Sequence, residues 1–133
     1  MTTLTISGRR WRREKRSMPQ YMLLLHQDPS GFARLSPEQM QAAVEKYMAW
    51  GQKLRQAGYL AASNKLTDEP GRVVRSHDGQ LRVTDGPYSE TKEVLGGYFT
   101  IEAASYDQAV ERLRDCPHLM FGGTIELRQV DVM

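Results

Sequence analysis

Apolar and polar residues alternate along the chain in segments, and the period of the alternation changes from one segment to the next. A short apolar run from Tyr21 to His26 precedes the turn-forming sequence Asp28-Pro29-Ser30-Gly31. Its length and these breakers predict a buried central strand that begins near Gln20. Apolar or small residues then recur at helical spacing: Met40, Ala43, Val44, Tyr47, Gly51, Leu54 and Ala57. This stripe predicts an amphipathic helix over about residues 37–57.

The start of that helix carries several agreeing signals. Ser36 is suited to the N-cap, Pro37 to the first helical position, and Gln39 completes a capping box. At the other end, Gly58 can take the left-handed conformation that closes a helix. Both limits of the helix are therefore predicted by specific residues.

The second half of the chain contains shorter segments. Residues 72–75 and 80–83 alternate at period two around His77-Asp78-Gly79, which predicts a hairpin. Ser105 repeats the capping pattern and opens a second helix that we expect to end at Cys116-Pro117. We expect the remaining strands at residues 59–62, 97–103 and 124–130.

The resulting order is strand, helix, strand, hairpin, strand, helix, strand. Without the hairpin it consists of two βαβ units, which predicts an α+β, ferredoxin-like βαββαβ sandwich. Two helices can cover only one face of a four-stranded sheet. The other face carries side chains of the run Met22–Leu25 and needs a partner. We therefore expect a homodimer, in which two open sheet faces pair into a dimeric α+β barrel.

Length and charge divide the chain into two parts. Its 133 residues suit one domain, 18–133, and no apolar run approaches the ~20 residues of a membrane-spanning helix. The chain has 18 basic and 16 acidic residues. Residues 1–17 contain six of the basic residues and one acidic residue, a net charge of +5. The remaining 12 basic and 15 acidic residues give the domain a net charge of −3. We expect residues 1–17 to be a disordered or dispensable extension, with a nucleic-acid or anionic-surface arm as the alternative.

The single cysteine excludes an intrachain disulfide. Cys116 stands near a predicted helix end and has only His118 close by in sequence, so we expect it to be buried and reduced. The composition is consistent with a cytoplasmic protein. The leader lacks the apolar core and the cleavage site of a secretory signal.

The most informative stretch is Val83-Thr84-Asp85-Gly86-Pro87-Tyr88-Ser89-Glu90-Thr91-Lys92-Glu93, which continues into Val94-Leu95-Gly96-Gly97-Tyr98-Phe99. It places carboxylates, hydroxyls and an ammonium group on a loop between two strands, where functional sites are often found. The run VTDGPYSETKEVLGGYFTIEA resembles the signature of the YCII-related proteins, specifically their DGPF branch, with Tyr88 where that branch usually has Phe. The resemblance covers about residues 18–130 and implies a ferredoxin-like dimeric α+β barrel.

Asp85 is the first candidate for chemistry. A stiff Gly86-Pro87 turn follows it, and burial against Tyr88 and Phe99 would raise its pKa into the range of a general acid or base. The alternative is that Asp85 caps its own turn. In YCII-related proteins more widely a helix His pairs with an Asp, which resemblance assigns to Asp85. The matching helix position here is Tyr47, so the dyad does not carry over.

Other residues are candidates for ligand binding around Asp85. Ser89 and Lys92 are candidates to hold an anionic or enolate-like ligand, with a solvated charge run as the alternative for Lys92. Tyr47 is a candidate to offer its phenol, with a core position on the helix stripe as the alternative, and Tyr88 is a candidate to contribute its ring. His26 leaves the first strand and can approach the loop at the sheet edge. The remaining histidines, His77 and His118, are expected to be solvated. No metal-ligand spacing is present, and we predict neither a metal nor another cofactor.

Two functional classes remain open. In the first, the cleft between helix and sheet is a small-molecule pocket in which the protein performs cofactor-free, lyase- or isomerase-like acid–base chemistry. The resemblance implies such an activity in the wider family. In the second, the same pocket only binds a ligand, as in accessory domains that resemble partners of sigma-factor-type regulators. Nucleic-acid binding is not expected of a domain with net charge −3, and neither is membrane association.

Overall fold

The computed structural model describes residues 18–88 and 93–131, with every side chain in these ranges except that of Phe32. Residues 1–17 lie outside the described residues, so the basic extension and the domain boundary after it stay predictions. Among the described residues, no helix is both long and apolar enough to cross a membrane.

Ten elements make up the described chain. They are β1 (Gln20–Gln27), α1 (Pro29–Ala33), α2 (Pro37–Gln56), β2 (Leu60–Lys65), β3 (Arg72–His77), β4 (Gln80–Asp85), β5 (Val94–Glu102), α3 (Tyr106–Glu111), α4 (Pro117–Met120) and β6 (Thr124–Gln129). All the strands predicted from the sequence are present.

Four strands form one antiparallel sheet in the order β2-β5-β1-β6, and β3 and β4 form a separate hairpin. The first strand therefore lies in the centre of the sheet, as predicted. This order and the interposed helices are compatible with a ferredoxin-like α+β fold. The pairing of two sheets into a barrel stays a prediction.

Strict alternation along β1 separates the two faces of the sheet. Tyr21, Leu23 and Leu25 are 2%, 0% and 5% exposed and belong to the core. Met22, Leu24 and His26 project to the opposite face and are only partly buried. The helices thus cover one face of the sheet; the other, which we call the open face, is the one left over.

Helix α2 begins and ends close to its predicted limits. Ser36 accepts a hydrogen bond from the backbone N–H of Gln39, and the Gln39 side chain accepts one from the Ser36 N–H, which confirms the capping box. Gly58 has φ +83°, as expected for a residue that closes a helix. The predicted stripe missed Trp50, which is 5% exposed and packs edge-on against Phe99.

The β3–β4 hairpin projects from the sheet with an exposed apolar face. Asp78 and Gly79 both have positive φ, at 51° and 77°, which is the conformation of a two-residue type I′ turn. Val74 and Val83 are register partners. They are 57% and 58% exposed, and Leu81 on the same face is 74% exposed. An isolated two-stranded hairpin is marginally stable, so this face is a candidate contact surface.

The structure differs from the prediction in two helical segments. Strand β1 ends at Gln27, as the breaker 28–31 predicts, but the short helix α1 that follows was not predicted. Asp28 directly precedes α1 and accepts hydrogen bonds from the N–H and the hydroxyl of Ser30. The second helix ends at Glu111 rather than at Cys116. The turns beyond it are held against α2 by Asp115, which accepts hydrogen bonds from Trp50 and Lys53.

Replacing the N-cap residue tests the local origin of α2. We expect Ser36→Ala to lower the free energy of unfolding by about 0.5–2 kcal/mol, because a backbone donor loses its partner. The matched control is Ser76→Ala on strand β3, where the hydroxyl makes no hydrogen bond with the described residues. Urea unfolding at fixed protein concentration measures both, and equal stability of the two variants would contradict the assignment.

Candidate functional site

One end of the sheet brings together the exit of the signature loop and the end of β1. Gln27 is the register partner of Val94, and His26 pairs with Leu95 on one side and Thr124 on the other. The loop runs directly into β5 at Val94, so its exit lies beside His26, as predicted. A ligand role for His26 stays a prediction, and Ser89 and Lys92 lie outside the described residues.

The His26 side chain belongs to a polar group on the open face. Its Nε2 lies 3.1 Å from Oε1 of Glu126, and the two side chains are 29% and 46% exposed. The second carboxylate oxygen of Glu126 lies 3.6 Å from Nη1 of Arg128. Because a carboxylate can only accept, the His26 Nε2 donates, and the neutral ring keeps a lone pair on Nδ1.

His118 is buried, and the expectation that it is solvated was wrong. It is 1% exposed, and its Nε2 lies 2.8 Å from the carbonyl oxygen of His26. Its Nδ1 lies 2.9 Å from the hydroxyl of Tyr47. Since a carbonyl only accepts, Nε2 carries the proton, and Nδ1 accepts from the Tyr47 hydroxyl. Tyr47 on α2 and His26 on β1 are thus joined through one buried imidazole.

A glycine makes room for that imidazole. Pro117 begins the short helix α4 and turns His118 inward. A methyl group at Gly123 would overlap the ring, lying 2.5 Å from both Cδ2 and Cε1. Gly122-Gly123 directly precedes the last strand in the sequence. No pattern in the sequence indicates that Gly123 accommodates a side chain.

Burial keeps this internal group neutral. Burial lowers the pKa of His118, and the hydrogen bond to the His26 carbonyl offsets part of that effect. Burial, with a smaller effect from Cys116, raises the pKa of Tyr47 to about 12. Cys116 itself is fully buried, as expected, and burial raises the pKa of its thiol. The Tyr47 hydroxyl is engaged by His118, and its predicted ligand contact stays a prediction.

Asp85 lies at the end of the hairpin in an open setting. Its side chain is 83% exposed, and Oδ1 lies 3.3 Å from Nη1 of its register partner Arg72. Phe99 instead packs against Trp50 on the helix side. The expected half-burial of Asp85 against Tyr88 and Phe99 was therefore wrong for a single chain, because the hairpin forms its own sheet away from β5.

The backbone around Asp85 is nevertheless well fixed. The Gly86 N–H donates to the carbonyl of Gly71 at 3.0 Å, and a methyl group at Gly86 would overlap the carbonyl of Pro70. Tyr88 is 79% exposed, with the Arg75 guanidinium 5.7 Å from its ring centroid. The site roles of Asp85 and Tyr88 stay predictions. His77, at the hairpin turn, is exposed as expected.

Tyr47 is the one predicted site residue on α2. A shallow depression lies on the surface of that helix, but Tyr47 does not line it. This shallow surface is lined by Pro37, Met40, Gln41, Val44, Glu45 and Met48. Within residues 18–88 and 93–131, no three His, Cys, Asp or Glu side chains are placed to hold a metal ion. The expectation of no metal stays a prediction.

Comparison with known proteins decides the family. Residues 19–133 match the family model described as the YCII-related domain. The chain belongs to the YCII-related family. It is 32% identical over 96 residues to an uncharacterised protein of Rhizobium meliloti (strain 1021), a match that covers 71% of this chain and 77% of that protein. The family resemblance carried by the signature loop is confirmed, and its finer assignment to the DGPF branch stays a prediction.

The close approach of the His118 ring to Gly123 predicts that a larger residue at position 123 destabilises this YCII-related protein. We expect Gly123→Ala to lower the free energy of unfolding by about 1–3 kcal/mol, because the methyl group displaces the His118 ring. Gly31→Ala is the matched control, since nothing lies within 4 Å of a methyl group there. Chemical denaturation compares the two, and a Gly123→Ala protein as stable as the control would show that the ring lies elsewhere.

The buried imidazole also predicts a pH dependence. Because the pKa of His118 is lower in the folded than in the unfolded protein, the unfolded state binds the proton first as the pH falls. The contribution of His118 to the free energy of unfolding should be fully present above about pH 6.5. Below that pH it should decrease, by at most about 1.4 kcal/mol per pH unit. Unfolding free energies at pH 7 and 5.5 measure this slope. His118→Gln should flatten it and His77→Gln should keep it; the same slope in both variants would assign it to other groups.

Proposed function

We propose that this YCII-related protein acts as a homodimer in which two open sheet faces enclose a small-molecule pocket. In that pocket it performs lyase- or isomerase-like proton transfer without a cofactor. Asp85 acts there as general acid or base, while Ser89, Lys92, Tyr88 and His26 position the ligand. Tyr47 lies on α2 behind the sheet and acts indirectly, by holding His118 against the backbone of His26. The family membership supports the fold on which this proposal rests.

The observation that carries the proposal is the one-sided coverage of the sheet. Met22 and Leu24 project from the central strand away from the helices and are only partly buried. Tyr98, the register partner of Leu24, lies on the same face and accepts a hydrogen bond from Asn64 at 2.9 Å. An apolar strip with a polar margin is typical of protein interfaces and of ligand sites. A second copy of the same face would bury the strip and leave polar groups at the edge.

The setting of Asp85 also calls for a partner. Its backbone is fixed, but its carboxylate is largely exposed beside Arg72, and water there would screen any catalytic effect. The apolar side chains Val83 and Leu81 lie on the same face of the hairpin, two and four positions before Asp85, and Val74 is the register partner of Val83. A second copy that covers this face would desolvate Asp85 and give it a pocket.

One observation favours a second function. The ion pair between Arg72 and Asp85 neutralises the carboxylate and joins the two ends of the hairpin. Such a pair has a structural role without any chemistry. In this alternative the dimer is a non-catalytic module that binds a ligand.

Sedimentation and a proton-exchange assay test the proposal together. The native protein should sediment as a dimer at micromolar concentration. In D₂O it should accelerate exchange of the benzylic protons of phenylacetone, a small neutral ketone, above the buffer rate by NMR. Leu24→Glu should give a monomer without exchange activity, because it places a charge on the open face. Val110→Glu on the opposite layer, where the side chain is 56% exposed, should remain dimeric and active.

Asp85→Asn separates the two functions. As general acid or base, Asp85 should contribute about 10²–10⁴-fold to exchange, and its replacement should change stability by less than about 1 kcal/mol. A native protein that sediments as a monomer would refute the dimer. An inactive native dimer would favour the binding module, whereas an Asp85→Asn dimer with full activity would refute the catalytic role of Asp85.

A further inference from the structure

We propose that His26 is a second catalytic residue of this pocket, a general base oriented by Glu126 and held in place by His118. The inference rests on the proposed function, because the open face becomes a pocket only in the dimer. It adds Glu126 and His118 to the site, neither of which was a candidate site residue in the sequence analysis.

The geometry gives His26 the features of an oriented base. Its Nε2 donates to Glu126 at 3.1 Å, so the proton position on the neutral ring is fixed. The lone pair on Nδ1 is then available, and Nδ1 makes no hydrogen bond among the described residues. Imidazole is the side chain most often used as a general base in enzymes.

Glu126 is itself anchored. Its second oxygen lies 3.6 Å from the guanidinium of Arg128, two residues further along β6. Since alternate residues of a strand share a face, the base, its carboxylate and this cation lie on the open face together. Arg128 also places on the open face a positive charge, which is the sign that stabilises an enolate oxygen.

His118 holds the backbone of the base from the opposite side. Its Nε2 donates to the carbonyl of His26 at 2.8 Å, and the hydroxyl of Tyr47 donates to its Nδ1. A ring that is 1% exposed and bonded at both nitrogens cannot turn without breaking these bonds. His118 is therefore a positioning residue that fixes the end of β1 from which His26 projects.

The surroundings indicate the class of ligand. The open-face residues nearest to His26 on β1 and β5 are its register partner Leu95 and the pair Leu24 and Tyr98, which are apolar or aromatic. Met22 and its register partner Thr100 lie further along the same face. The apolar and aromatic side chains favour a small, neutral compound with an apolar part. An imidazole removes a proton from carbon only where a neighbouring electron-withdrawing group, most commonly a carbonyl, acidifies the C–H bond. The ligand class that we infer is therefore a ketone or a related carbonyl compound.

The step needs no further reactant. His26 Nδ1 takes a proton from the carbon next to the carbonyl, so that a C–H bond breaks and an N–H bond forms. The electron pair of the C–H bond becomes the C=C bond of an enolate, with the negative charge on oxygen. Return of a proton to the same or to a conjugated carbon restores the ring; nothing is oxidised or reduced.

Exchange of phenylacetone in D₂O tests the inference, with sedimentation as a check that each variant is dimeric. His26→Gln should lower the protein-catalysed rate by about 10²-fold or more. His77→Gln is the matched control, because His77 also lies beside a carboxylate, Asp78, at 3.3 Å but in the exposed hairpin turn. It should leave the rate unchanged.

The positioning residues require a readout besides the rate. ¹⁵N NMR of the imidazole rings should show His26 and His118 protonated at Nε2 in the native dimer. Glu126→Gln should give a mixture of tautomers at His26 and a lower rate, and Glu126→Asp should recover part of both. A purely structural role of Glu126 would leave the tautomer unchanged.

The outcomes separate this inference from the function on which it rests. A dimeric His26→Gln protein that keeps the native rate overturns the inference but not the proposed function. A native protein that is monomeric or inactive overturns both. If His26 carries its proton on Nδ1, the orientation by Glu126 is wrong.

Discussion

The alternation of side chains along the central strand is the constraint on which the rest of the structure depends. Tyr21, Leu23 and Leu25 are buried beneath the helices, and a shift of one residue would exchange them with Met22, Leu24 and His26. The same register therefore builds the core and places an imidazole on the uncovered side. Core and candidate site are two faces of one strand and cannot vary independently.

The two candidate centres differ in how the single chain prepares them. Asp85 follows a strand and precedes a fixed turn, but its carboxylate is exposed to water and paired with Arg72. In the proposed dimer its environment would depend on the second copy. His26 is already oriented within one chain: Glu126 holds its ring and His118 holds its backbone. A pair of titratable groups in different environments is the usual basis for dividing acid and base roles. In the proposed dimer the second copy would complete the environment of Asp85, whereas it would only enclose His26, which is already oriented.

Much of the fold could be predicted because its signals are local. Ser36 and Gln39 define a helix start by their own hydrogen bonds, and Asp78-Gly79 defines a turn by its backbone preference. The site could not be predicted in the same way. His118 and Tyr47 are 71 residues apart, and His26 and Glu126 are 100 apart. These contacts depend on the strand order and on the space at Gly123. Neither feature produces a recognisable periodic pattern of hydrophobic residues in the sequence. The error on Asp85 has the same origin, since adjacency to β5 in sequence suggested a contact with Phe99 that the separate hairpin does not make.

The polar group on the open face is difficult to explain by stability alone. Partly exposed ion pairs contribute at most about 1 kcal/mol, and enclosing His26, Glu126 and Arg128 in a dimer would cost desolvation energy that apolar residues in their place would not. Met22 and Leu24 demonstrate that the same face accommodates apolar side chains. A face meant only for association would gain from more of them. The retention of a bonded imidazole and carboxylate beside that apolar strip is therefore more consistent with a site than with an interface that serves only to hold two chains together.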